Sequence, residues 1–124
     1  MLGVGDSREA PYVLRGPIAA GTWHLVGDGE DMVKTVDVRF DIIWRTAAKV
    51  DTVLATTTHT FVQKAGSYDA IMFDADLPGI AAAATPGDLL VLRFNTIGGV
   101  SGAYYIPNGD GPLAKGRDPN LTLP

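Results

Sequence analysis

The stretch Thr35 to Arg45, Thr-Val-Asp-Val-Arg-Phe-Asp-Ile-Ile-Trp-Arg, alternates apolar and charged side chains with a period of two. Val36, Val38, Phe40, Ile42 and Trp44 fall on one side, and Asp37, Arg39, Asp41, Ile43 and Arg45 on the other. A helix would scatter both sets around its circumference, whereas a strand separates them, so one face has to meet a core. The other face carries charges of alternating sign, which suits water and lets each charge meet an opposite one on a neighbouring strand. It reads as a solvated face rather than a catalytic one.

The rest of the chain repeats this theme in shorter pieces. Gly21–Val26 is a strand with Trp23 and Leu25 on one face and His24 on the other, followed by a turn at Gly27-Asp28-Gly29-Glu30-Asp31. Thr52–Gln63 is rich in β-branched residues and predicts a long strand, with Val53, Ala55, Thr57, His59 and Phe61 on one face and Leu54, Thr56, Thr58, Thr60 and Val62 on the other. Its threonines read as ordinary cross-strand packing. Tyr68–Ala75 is the next strand, broken at Asp76-Leu77-Pro78-Gly79, and Ile80–Thr85 permits a turn of helix or a small-residue crossover. Asp88–Thr96 opens on a continuous apolar run, as a central strand covered on both faces does. A flexible loop at Ile97–Gly102 and a short strand around Tyr104 and Tyr105 complete the series, with Tyr12–Leu14 as a possible edge strand near the start. Residues 1–11 and 113–124 are expected to be irregular. Seven or eight strands separated by turn signals predict a single antiparallel β-sandwich over 1–124, a jelly roll first and an immunoglobulin-like topology as the alternative.

Composition narrows the function classes. A net charge of -4, with Arg15, Arg39, Arg45, Lys49, Lys64 and Arg93 dispersed along the chain, argues against a nucleic-acid backbone as partner. The absence of Cys removes disulfides, thiolate metal sites and cysteine nucleophiles. No apolar run is long enough for a transmembrane helix. No nucleophile elbow, zinc-protease helix or phosphate-binding loop occurs, and no cofactor is expected.

Three groups of residues merit a functional reading beside a plain one. Asp28, Glu30 and Asp31 offer oxygens to a hard cation, but without the spacing of a calcium loop they read as a solvated turn. His24 and His59, with Asp37, Asp41, Asp69 or Asp74, offer a two-histidine, one-carboxylate metal site and a small metal-dependent jelly-roll enzyme. Without clustered His-x-His ligands they read as ordinary sheet histidines. Tyr104 and Tyr105 point to opposite faces of a strand, so at least one reaches the surface. With Asn108 and Asp110 beside it, that tyrosine is suited to stacking on a sugar ring and bonding its hydroxyls. The six other strand aromatics, Trp23, Phe40, Trp44, Phe61, Phe73 and Phe94, are assigned to the core.

Ala20-Gly21-Thr22-Trp23 and Pro86-Gly87-Asp88-Leu89-Leu90-Val91-Leu92 resemble the turn-into-strand openings of bacterial extracellular β-sandwich modules, including carbohydrate-binding and prepeptidase-type accessory domains. The resemblance covers under a fifth of the chain and carries no ligand residues. It implies a non-catalytic accessory or surface role in a secreted, periplasmic or cell-surface protein. The expectation is therefore an interaction or assembly module that contacts a protein partner or another copy of itself, with glycan binding through Tyr104, Tyr105, Asn108 and Asp110 as the alternative.

Overall fold

The computed structural model describes residues 2–29, 35–62, 71–99, 104–105 and 120–124, the side chains of 28–29, 71–72 and 104–105 excepted. It contains β1 (Leu2–Gly3), β2 (Ser7–Val13), β3 (Gly21–Gly29), β4 (Val36–Arg45), β5 (Asp51–Phe61), β6 (Ile71–Gly79), β7 (Leu89–Gly99), β8 (Tyr104–Tyr105) and β9 (Asn120–Thr122). Among the described residues there is no helix long and apolar enough to cross a membrane.

The antiparallel pairs are β1 with β8, β2 with β7, β3 with β6 and β4 with β5. Each pair of indices adds to nine, which is the signature of one long hairpin rolled up on itself: a jelly roll. An immunoglobulin sandwich would set its first two strands side by side, and that alternative falls away. Pairing of β4 with β7 completes a sheet of order β2-β7-β4-β5, and β9 adds to β3 in a second sheet of order β6-β3-β9.

The core lies between these sheets. It takes Val36, Val38, Phe40 and Ile42 from β4, as the alternation requires, and faces them with Trp23, Leu25, Phe73 and Leu77 of the smaller sheet. Each such side chain contributes about 1.5–3 kcal/mol by leaving water. Phe73 is a hub: its ring centroid lies 4.9 Å from Phe40, 5.5 Å from Phe61 and 4.4 Å from His59. Trp44 and Phe94 pack against the same core while partly buried.

Several boundaries differ from the sequence expectation, each for a local reason. The segment 1–11, expected to be irregular, contains β1 and most of β2, because β7 supplies a full antiparallel partner that outweighs a sequence without alternation. At the other end Asn120–Thr122 pairs with β3, so the tail is not wholly irregular. The turn expected at Gly27 is strand, since Gly27 pairs with Phe73 and a Cβ there would lie 2.4 Å from that ring. The break expected at Asp76–Gly79 is also strand; Pro78 is tolerated because β6 is an edge. Ile97–Gly99 continues β7, with a register shift opposite Asp37 and Val38 that leaves Ile97 as an extra residue. Ile80–Thr85 is an extended crossover tied by Ala82 to Ile18.

A second register shift matters more. Ile42 pairs with Ala55 but Ile43 pairs with Val53, so Leu54 is an extra residue in β5. The bulge lets Leu54 and Ala55 both enter the core and turns Val53 outward, 49% exposed. The two faces expected for this strand therefore exchange at that point.

Candidate functional site

The face of the larger sheet turned away from the core is organised by register. Glu9 of β2 lies opposite Arg93 of β7, and Arg45 of β4 lies opposite Asp51 of β5. Arg45 donates from Nη1 and Nη2 to Glu9 at 2.9 and 3.0 Å, and from Nε and Nη2 to Asp51 at 2.7 and 2.9 Å. Arg93 Nη2 reaches Glu9 at 2.8 Å and Asp51 at 3.3 Å. The four side chains form a closed ring of alternating charge.

Between the two rows of this ring runs an apolar row, Pro11, Val91, Ile43 and Val53, aligned by the same registers. Bonds from one row to the other pass over it. That explains why Ile43 and Val91 are fully buried while standing outside the inter-sheet core: long arginine side chains cover apolar surface with their stems and keep their heads at its rim.

Both carboxylates are held in the charged form. Hydrogen bonds from Arg45 first, then Arg93, lower Glu9 from 4.5 to about 2, and Arg45 likewise holds Asp51 below the usual carboxylate range. A general base at neutral pH works best with a pKa near 7, so Glu9 is tuned for an ion pair instead of proton transfer. Because its folded pKa is depressed, the stabilisation it provides is fully present above pH 4.5 and is lost as pH falls towards 2. Glu9→Gln is expected to cost about 1 kcal/mol once solvent screening is allowed for. Urea titrations at neutral and acidic pH check this, since the variant and the parent should converge in stability as the pH approaches 2.

The remaining charges on β4 are also partnered. Arg39 bonds Asp41 at 3.1 Å on its own strand, and Asp41, only 4% exposed, also accepts from Thr56 at 2.8 Å and Asn95 at 3.0 Å. Asp37 accepts from Thr60 at 2.6 Å. The expected solvated face is thus only partly solvated.

The two histidines sit on opposite sides of the smaller sheet. His59 points inward and stacks on Phe73, where burial pushes its pKa below 6.5, so acid that protonates it opposes folding. His24 points outward, its Nδ1 2.6 Å from Asp76 and its Nε2 3.9 Å from Asp74. The pair does not converge on one metal, and the described residues hold no group of three His, Asp or Glu side chains placed to do so.

Tyr104 and Tyr105 pair through their backbones with Gly3 and Leu2. Asn108 and Asp110 lie outside the described residues, as do Glu30, Asp31 and Asp69.

An open depression of ≈ 570 Å³ adjoins the ring, with Arg45, Lys49, Asp51 and Leu89 in its walls. Lys49 adopts φ 63° there because the hairpin Thr46–Val50 closes with Lys49 N bonded to Thr46 O and Thr46 N bonded to Val50 O. A left-handed residue after a tight turn is how such loops return to the strand.

Glu9 was not legible as a site residue: Ser-Arg-Glu-Ala-Pro-Tyr-Val carries no strand alternation, and only the β2–β7 register brings it to the arginines. Comparison with protein-family models and with curated proteins returned no match.

Proposed function

We propose that this chain is a non-enzymatic interaction or assembly module, of the kind borne by exported bacterial proteins, acting through protein contacts or self-association. The observation that supports it is that, among the described residues, neither edge strand of the larger sheet pairs with a further strand. At one edge β2 leaves Tyr12 58% and Val13 71% exposed; at the other, β5 has β4 as its only strand partner among the described residues. The sheet face between the edges has its charges matched internally, so it offers few uncommitted groups to a ligand. Edges, by contrast, present unpaired backbone donors and acceptors, which a further strand can use.

Sedimentation velocity over a protein concentration from about 1 μM to about 1 mM tests self-association, a range set by the weak affinity of small interfaces. A rising average mass is expected. A single monomeric species throughout would remove self-association from this reading and leave it resting on a different protein partner.

A further inference from the structure

The open edges are not alike. Natural sheets protect edges with charge, proline, short length or bulges, because an unprotected edge pairs with another strand. β2 carries Arg8, Glu9 and Pro11; β6 carries Asp74, Asp76 and Pro78; β9 is three residues long. β5 has eleven residues, and from Thr52 to Phe61 it contains no Lys, Arg, Asp, Glu, Pro or Gly. Among the described residues its one protection is local: the bulge at Leu54, where Ile80 N bonds Leu54 O at 3.1 Å as the crossover passes. Ala55 to Phe61 runs on without a register shift, and Thr56, Thr58 and Thr60 are exposed on its outer side.

We infer that this run is the contact surface for a second copy of the same chain, the two β5 strands pairing antiparallel about a two-fold axis at Thr58 and joining the larger sheets into one of eight strands. The inference rests on the assembly reading above and names its surface and partner. Thr58 is the midpoint of the regular run, so this register uses all seven residues of each copy. It places Thr58 against Thr58 and Thr56 against Thr60 on the outer side, a row of threonine pairs of the sort that stabilise sheets. On the inner side it places Thr57 against His59, and small Ala55 against large Phe61. No charged side chain of the run meets its own image, which matters for a chain of net charge -4. A self-matching patch of this kind is what a two-fold contact requires. Seven residues per copy form a small interface, so the dimer belongs to the weak, reversible class.

The chain has no cysteine, which makes single-cysteine trapping clean. Under mild oxidation, Thr58→Cys is expected to form a covalent dimer at least ~10-fold faster than Thr56→Cys or Thr60→Cys, because pairing holds its two sulfurs at high effective concentration. The double variant Thr56→Cys, Thr60→Cys should regain dimer formation, and Thr58→Lys should abolish concentration-dependent association. If Thr58→Cys reacts no faster than Thr56→Cys, the inference is wrong. In that case, self-association that survives in Thr58→Lys keeps the assembly reading and moves the contact elsewhere, whereas a parent that stays monomeric removes self-association as well.

Discussion

Replacing Gly79 with alanine is expected to destabilise the fold by about 3 kcal/mol, the upper end of what one extra methyl usually costs in a packed interior. A Cβ at Gly79 would lie 2.4 Å from Trp23 Nε1 and 2.6 Å from its Cδ1. No real Cβ tolerates such a contact, and the indole cannot yield, because Trp23 has no exposed surface and is among the largest buried side chains. The register explains the arrangement: Trp23 pairs with Leu77 and Gly21 with Gly79, so the indole leans diagonally across the strand end over the residue that lacks a side chain. Its Nε1 finds no acceptor among the described residues. Trp23→Phe therefore removes an unpaired donor together with ring volume, and should cost less than the loss of volume alone suggests. In Trp23→Phe, Gly79→Ala the clash is relieved. The double-mutant cycle in urea should show a favourable coupling of about 1–2 kcal/mol, whereas simple additivity would mean that Trp23 and Gly79 do not share this space.

How far the sequence carries depends on whether a feature is set by neighbours along the chain or across the sheet. Alternation in Thr35–Arg45 specified β4 and its core face, because burial acts on every second residue of a strand. The apolar start of β7 likewise marked Leu90, Val91 and Leu92 as covered on both sides. What could not be read was anything decided by register. Leu54 breaks the parity of β5, and with it the assignment of Val53, Leu54 and Ala55 to faces. Gly27 and Pro78 look like turn signals, yet one makes room for Phe73 and the other sits on an edge where its missing N–H costs little. The ion-pair ring needs four strands at once: its members are separated by 6 to 84 positions. The separation of the two histidines was hidden for the same reason, since only the topology puts His24 on the outer face of the smaller sheet and brings His59 of β5 against its inner face.

Asp88 is where those long-range ties converge, and its removal is expected to have the second large effect. The carboxylate is 5% exposed and accepts three hydrogen bonds: from Trp44 Nε1 at 2.9 Å, Thr85 N at 3.0 Å and Ala47 N at 3.2 Å. These donors belong to the end of β4, the β4–β5 hairpin and the turn Thr85-Pro86-Gly87-Asp88. That turn has the chemistry of type II, with proline second, glycine third at φ 98° and Asp88 N bonded to Thr85 O at 3.1 Å. The Asp88 backbone carbonyl also accepts from Leu14 N at 2.7 Å, which fixes the segment after β2. Asp88→Ala leaves three donors without their acceptor, and the melting temperature should fall by on the order of 10 °C in a domain of this size. Asp88→Asn keeps the shape but turns an NH2 group towards an N–H, so it should recover only part of the loss. The hydrogen bond from the Thr85 backbone, followed by that from Trp44, holds the Asp88 carboxyl below its ordinary 3.8. A depressed carboxylate stabilises the fold above its unfolded pKa and loses that contribution as pH falls, so the gap between parent and Asp88→Ala should narrow below about pH 4. Fluorescence offers an independent check, because Trp44 loses its indole partner in Asp88→Ala while Trp23 does not. A melting temperature unchanged at pH 7, with unaltered Trp44 emission, would show that the three segments are held by packing and not by this carboxylate.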